Sequence, residues 1–184
     1  MPLSRSHCSS QPAVNRKRWE LARQADAASQ AIRDAEASGA EGAENVALDL
    51  ANMESYTNSL RGYTIMVPGN WTVDESESDD NGRVFTETEN GTKLAVSWVE
   101  NREDAAWSKA VEAVEDGSDA MQGSAVSADE YRASGISTNG LKSNQRMLRK
   151  PDGTMVKAEI TYAADQAKST DPLAAVILDS LTLQ

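Results

Sequence analysis

Glu77, Asp79, Asn81 and Gly82 occupy the first, third, fifth and sixth places of a short acidic loop. Calcium loops use that spacing, because alternate side chains turn their oxygens inward and a glycine permits the bend. The pattern then breaks. The twelfth place is Thr88, whose single hydroxyl cannot supply a bidentate carboxylate, and the residues around it alternate as a strand where a calcium loop passes into a helix. The expectation is a solvated turn, with no metal assigned.

Nucleophilic chemistry fares no better. The sole histidine is His7 and the sole cysteine Cys8, both in the first residues, so neither a Ser-His-Asp nor a Cys-His arrangement can be assembled within the body of the chain. One cysteine also rules out an intrachain disulfide and a CxxC metal or redox pair. Neither a P-loop nor a GxGxxG glycine cradle is present. With 29 acidic residues, carboxylate pairs exist in number, yet none is singled out by an apolar setting that would raise a pKa. The sequence assigns no catalytic residue and no cofactor. A carboxylate-dependent small-molecule enzyme stands as an alternative, to be revived by a pocket holding two acids against Trp71 or Trp98.

Lys142, Arg146, Arg149 and Lys150 form a run of bases beside a turn. They would be the place to hold a phosphate backbone, but a solvated hairpin tip is the plainer reading. The formal net charge of -11 supports it. Residues 1–50 carry 7 acids against 6 bases and residues 51–184 carry 22 against 12, so the body holds the negative field and no nucleic-acid partner is expected. Trp71, Trp98 and Trp107 could line a recognition groove. In a chain with one phenylalanine, Phe85, Trp98 and Trp107 are read as core volume, and Trp71 fits either role.

The elements that would position these side chains follow from periodicity. Residues 1–14 read as an unstructured tail, and a helix is expected from Asn15 to about Ala37, with Leu21, Ala25, Ala28, Ile32 and Ala35 on one stripe. A second helix is expected over Glu44 to Leu60, giving residues 15–60 as a helical extension or linker. From Arg61 the period becomes two. Tyr63, Ile65 and Val67 alternate before Pro68-Gly69, and Trp71-Thr72-Val73 resumes. Arg83–Glu89 and Lys93–Glu100 read as strands joined across Asn90-Gly91. Asn101 can cap a helix running to Asp116, with Gly117 as its stop. Tyr131–Ile136, Leu141–Arg149 and the run through Val156, Ala158, Ile160 and Tyr162 read as strands, the last two joined by Pro151-Asp152-Gly153. A final helix is expected from an N-cap at Ser169 or Thr170, with Pro172 in its first turn. Hairpins on one sheet, with helices between and after them, make the fold class α+β.

Gly62-Tyr63-Thr64-Ile65-Met66-Val67-Pro68-Gly69-Asn70-Trp71 resembles the opening G-Y-x-I-x-V-P-x-x-W of PsbP-like domains, and Ile177-Leu178-Asp179-Ser180-Leu181-Thr182-Leu183 resembles their terminal helix and short last strand. The resemblance covers residues 61–184. It implies an antiparallel sheet with helices on both faces, an α/β/α sandwich, in a family whose members mostly bind proteins and include bacterial envelope lipoproteins and secretion chaperones. These motifs are scaffold, so the resemblance implies no binding residue.

The reading that results is a non-catalytic protein-binding module or accessory subunit of unidentified partner. No apolar run approaches the length of a membrane span, which with the absence of an apolar leader points to the cytoplasm. Cys8-Ser9-Ser10-Gln11 resembles the mature start of a bacterial lipoprotein, but Pro2, Arg5 and His7 precede it and a lipobox leucine does not stand in place. A cell-envelope location would therefore need a further upstream segment.

Overall fold

The computed structural model describes residues 49–115 and 121–184. The tail expected over 1–14, the helix near 15–37, the opening of the second helix and the stop at Gly117 lie outside them. The strands are β1 (Met53–Asn58), β2 (Tyr63–Pro68), β3 (Thr72–Val73), β4 (Gly82–Thr86), β5 (Lys93–Val99), β6 (Met121–Ser127), β7 (Glu130–Ile136), β8 (Leu141–Arg149), β9 (Met155–Ala163) and β10 (Thr182–Leu183). The helices are α1 (Ala105–Glu115) and α2 (Ala167–Asp179).

Among the described residues the strands form a 7-stranded antiparallel sheet in the order β3-β4-β5-β9-β8-β7-β6 and a 3-stranded sheet in the order β1-β2-β10. β9 sits centrally because its even-numbered residues are apolar in an unbroken run: Val156, Ala158, Ile160 and Tyr162 are all buried. Their partners on β5 continue the layer, with Leu94 opposite Ile160 and Val96 opposite Ala158. Against this face pack Tyr63, Ile65 and Val67 of β2 and Leu173, Ala174, Ile177 and Leu178 of α2. A second cluster on the opposite face gathers Met121, Tyr131, Ala133, Met147 and Met155 under Ala106, Trp107, Ala110 and Val111 of α1. The sheet is thus covered by helices on both faces, the α/β/α arrangement expected.

Four expectations are corrected. The helix over Glu44 to Leu60 ends at residue 51, and Met53–Asn58 is β1, paired with β2 through Tyr56 opposite Ile65. Apolar spacing alone fits either element there, but Ser55-Tyr56-Thr57 favours extended backbone and a hydrophobic partner strand decides it. The β structure therefore begins at Met53 and not after Leu60. The turn at Asn90-Gly91 is wider than a two-residue hairpin: β4 stops at Thr86, and the Glu87 N–H donates to the Thr92 carbonyl at 2.9 Å. Gly91 has φ 75°, whereas Asn90 does not join it in the left-handed region, so the tight turn that needs both cannot form.

The Ser/Gly-rich passage before Tyr131 contains a strand, β6. Only Met121 of its seven residues is buried, so no alternation marked it. Finally, α2 begins at Ala167, continuing a 3-10 turn over Ala164–Gln166, and Ser169, Thr170 and Pro172 lie inside the helix. The Ser169 hydroxyl, expected as a cap, donates to the Gln166 carbonyl at 3.0 Å instead.

Candidate functional site

Among the described residues, α2 lies over β8 and β9 and no helix covers the same face of β7 and β6 beside it. A groove of about 490 Å³ results. Its floor carries Gln122 and Ser124 from β6, Ser134 from β7 and Asn144 from β8, and its wall Asp171, Ala175 and Leu178 from α2. The floor is polar, as suits strands that no described helix covers.

The charges in and around the groove are mutually committed. Lys142 donates to both oxygens of Asp171, at 2.7 and 2.6 Å. The Tyr162 hydroxyl also donates to Asp171, and the Asn144 amide donates to the Tyr162 oxygen. Burial, followed by the Asp171 carboxylate, pushes the Tyr162 phenol well above its ordinary range, so it does not ionise to serve as a base. Arg132 bridges Glu130 and Asp179, at 2.8 and 2.7 Å.

Arg146 does more. Its Nε and Nη2 fork onto Glu130 at 2.9 and 3.2 Å, while Nη1 donates to the carbonyls of Leu178, Asp179 and Leu181 at 2.9, 3.1 and 3.0 Å. Those carbonyls belong to the last turn of α2 and its exit, where helix geometry leaves acceptors without partners. A single guanidinium therefore ties the end of α2 to β7 and β8.

The four bases singled out in sequence are consequently not a solvated hairpin tip. Lys142 and Arg146 clamp α2, Arg149 holds Asp129 at 3.1 Å and the Ala128 carbonyl at 2.8 Å, and Lys150 reaches the Arg61 carbonyl at 2.7 Å. Alternation along β8 puts Lys142 and Arg146 on the α2 face and Arg149 on the other.

The acidic loop is a turn, and its oxygens are turned to internal use. Asp79 Oδ1 accepts from the backbone N–H groups of Asn81 and Gly82, at 2.8 and 3.0 Å. These bonds hold the Asp79 carboxyl below its usual range. The Asn81 side-chain oxygen accepts from Arg61 at 2.6 Å and its carbonyl from the Tyr63 hydroxyl at 2.9 Å. Glu77 meets Lys93 at 3.4 Å. Among the described residues no cluster of three or more histidine, cysteine or carboxylate side chains is placed to hold a metal ion. Adding about 1 mM calcium, enough to fill even weak calcium modules, is expected to leave the Tm unchanged. A rise of several degrees in a thermal melt would overturn that.

Two carboxylates do stand near Trp71. Asp49 and Glu87 are both buried. Burial raises both above the usual carboxylate range, against hydrogen bonds from Asn70 and Trp71 to Asp49; the charge of Glu89 adds to the rise in both, and that of Asp49 to the rise in Glu87. Glu87 also accepts backbone N–H groups of Glu89 and Asn90, which makes it an organiser of the β4–β5 turn. A carboxyl raised in the folded state is charged more readily in the unfolded chain, so each weakens the fold as pH climbs from the ordinary carboxylate range through its raised value. Asp49→Asn is expected to be more stable than the parent at neutral pH, with the difference shrinking as pH falls. Parallel urea titrations across acid and neutral pH would read this, and a difference independent of pH would refute it.

All three tryptophans pack on the core clusters. Trp71 is in the core, 7% exposed. Trp98 and Trp107 are half-buried, each beneath a guanidinium: Arg61 lies 4.0 Å from the Trp98 ring and Arg149 5.3 Å from that of Trp107. Trp71 thus takes the core role of the two it fitted, while Trp98 and Trp107 pack against the first and second core clusters as expected and are covered at the margin by cation–π contacts. The groove residues Gln122, Ser124, Ser134 and Asn144 were not singled out in sequence, since hydroxyl and amide side chains on a strand give no signal until the covering helix is placed.

No protein-family model matches the chain, and no curated protein matches it. Solved structures do. The Saccharomyces cerevisiae Ran-binding protein Mog1p superposes with a TM-score of 0.50 at 14% identity, over 72% of this chain and 95% of that one. The cyanobacterial PsbP of Synechocystis, CyanoP, gives 0.48 at 15% identity, over 73% and 94%. The fold is PsbP-like. In this PsbP-like domain no described helix is long and apolar enough to cross a membrane.

Proposed function

We propose that the domain is a non-catalytic binding module for another protein, and that the groove beside α2 is its recognition surface. One observation carries the reading: the groove's charges are engaged with each other and with α2, while Gln122 and Ser124 on β6 stand exposed at its floor. Groups fixed in that way hold shape, and the free hydrogen-bonding capacity suits recognition more than proton transfer. The fold it shares with a protein that binds Ran makes protein binding a use this scaffold supports.

A photo-crosslinking side chain placed at Ser134, with Thr57 on the far sheet as the control position, tests this in native lysate. A discrete protein adduct formed from Ser134 and not from Thr57 is the expected result. Equal labelling from both positions, or turnover of a small molecule that depends on groove residues, would overturn it.

A further inference from the structure

β6 ends the large sheet, and among the described residues its backbone is hydrogen-bonded on one side only, to β7. Natural sheets protect such an edge with lysine, proline, inward charges or extreme shortness. The opposite edge conforms, since β3 has two residues. β6 does not: Met121–Ser127 reads Met-Gln-Gly-Ser-Ala-Val-Ser, with neither a charge nor a proline. Its one irregularity falls between Ala125 and Ser127, so Met121–Ala125 runs in regular register with Gly123 at its midpoint.

That stretch is complementary to itself. Turned about a two-fold axis at Gly123, perpendicular to the sheet, a second β6 would lie antiparallel to the first. Gly123 then meets its own counterpart, where no side chain hinders approach. Met121 meets Ala125, and Gln122 meets Ser124, an amide opposite a hydroxyl. Strand alternation keeps each pair on one face, with Gln122 and Ser124 on that of the groove. The pairing would add about four to six main-chain hydrogen bonds.

Charge fits the same occupant. An isologous contact sets a surface against its own copy, so a charged edge repels itself and a neutral one does not. β6 is neutral, and the groove charges beside it are spent within the molecule: Arg132 on Glu130 and Asp179, Lys142 on Asp171. The surplus of acids over residues 51–184, 22 against 12, lies outside β6. It opposes association only through a field that salt screens, to within about 8 Å at 0.15 M.

We propose that two copies of the chain join through β6, edge to edge about a two-fold axis at Gly123, into one continuous antiparallel sheet. The proposal stands on the edge and not on the binding-module reading. It bears on that site all the same, because each copy's Gln122 and Ser124 would extend the other's groove floor.

So short a paired stretch buries less than a standard interface, and the association is therefore sought up to millimolar protein. In sedimentation equilibrium of the full chain, the mass is expected to rise from 19.8 kDa towards twice that value with concentration. The rise should be steeper at higher salt, and amide exchange within Met121–Ala125 should slow in step. Gln122 and Ser124 are exposed, so charges placed there spare the fold. Gln122→Lys combined with Ser124→Lys sets like charges opposite one another on both sides of the axis and should weaken association at least ~10-fold. Gln122→Lys combined with Ser124→Glu sets opposite charges there and should associate at least as well as the parent.

A mass that stays at 19.8 kDa, a dimer that salt weakens, or equal association of the two double variants would each overturn the proposal. The two readings fail separately: an adduct from Ser134 to another protein, formed by a chain that remains monomeric at every concentration, would keep the binding module and remove the dimer.

Discussion

Arg146→Ala is expected to cost about 3–5 kcal/mol, the range seen when one partner of a buried pair is removed, with a fall in Tm of roughly 10 °C for a domain of this size. The side chains of Arg146 and Glu130 are only 13% and 17% exposed. Truncation leaves Glu130 with Arg132 alone and removes the donor that the carbonyls of Asp179 and Leu181 share with that of Leu178, so the loss exceeds that of a surface ion pair. Arg146→Lys should recover less than half, because an ammonium cannot reach a carboxylate and three carbonyls from one plane.

The pH dependence gives an independent reading. Burial pushes Glu130 upward, but the hydrogen bonds and charges of Arg146 and Arg132 prevail and hold it below the ordinary glutamate range. A carboxyl depressed in the folded state stabilises above its unfolded pKa, and that stability is lost as pH falls through the folded value. Arg146→Ala should therefore lose much of this acid-side decline. Chemical denaturation of both proteins at several pH values would measure it, and a loss below about 1 kcal/mol would show that the clamp is ornamental to stability.

Gly82→Ala is the second large effect expected. A methyl group at Gly82 would lie 2.1 Å from the Val96 carbonyl oxygen and 2.7 Å from the Ser97 Cα, both backbone atoms of the adjoining strand. Neither can move without parting β4 from β5, so the cost should be on the order of 3 kcal/mol, at the upper end for overpacking. Gly91→Ala is the informative contrast. Nothing lies within 4 Å of its added carbon, and only its φ of 75° resists substitution, worth about 1 kcal/mol. Thermal melts should rank Gly82→Ala well below Gly91→Ala, and the reverse order would contradict the packing described.

What was legible in the sequence is largely what period two can carry. The runs Val156, Ala158, Ile160, Tyr162 and Tyr63-Thr64-Ile65-Met66-Val67 were legible as strands because each has one face buried along its length, whereas the single sheet expected is two, with Tyr63–Pro68 in the smaller. β1 and β6 escaped for the converse reason: exposed residues dominate both, and their conformation is set by the strand alongside. Gly82 was noticed for a calcium loop it does not build; its cause is a carbonyl on β5, which no local pattern displays. Likewise the bases on β8 were visible as a group, but the helix end awaiting Arg146 exists only once residues far apart in the chain are brought together.

β2 is completed from opposite directions in the chain. β1 flanks it on one side and β10 on the other, the Met66 N–H donates to the Ser180 hydroxyl at 2.8 Å, and the Gln184 N–H donates to the Gly62 carbonyl at 3.0 Å. On a ribosome, then, a nascent chain that has already exposed Tyr63, Ile65 and Val67 has nothing with which to finish the small sheet until Leu183 has left the exit tunnel. With synthesis at roughly 5–20 residues per second, that apolar strand waits on the order of ten seconds, an interval in which a holding chaperone would find its substrate.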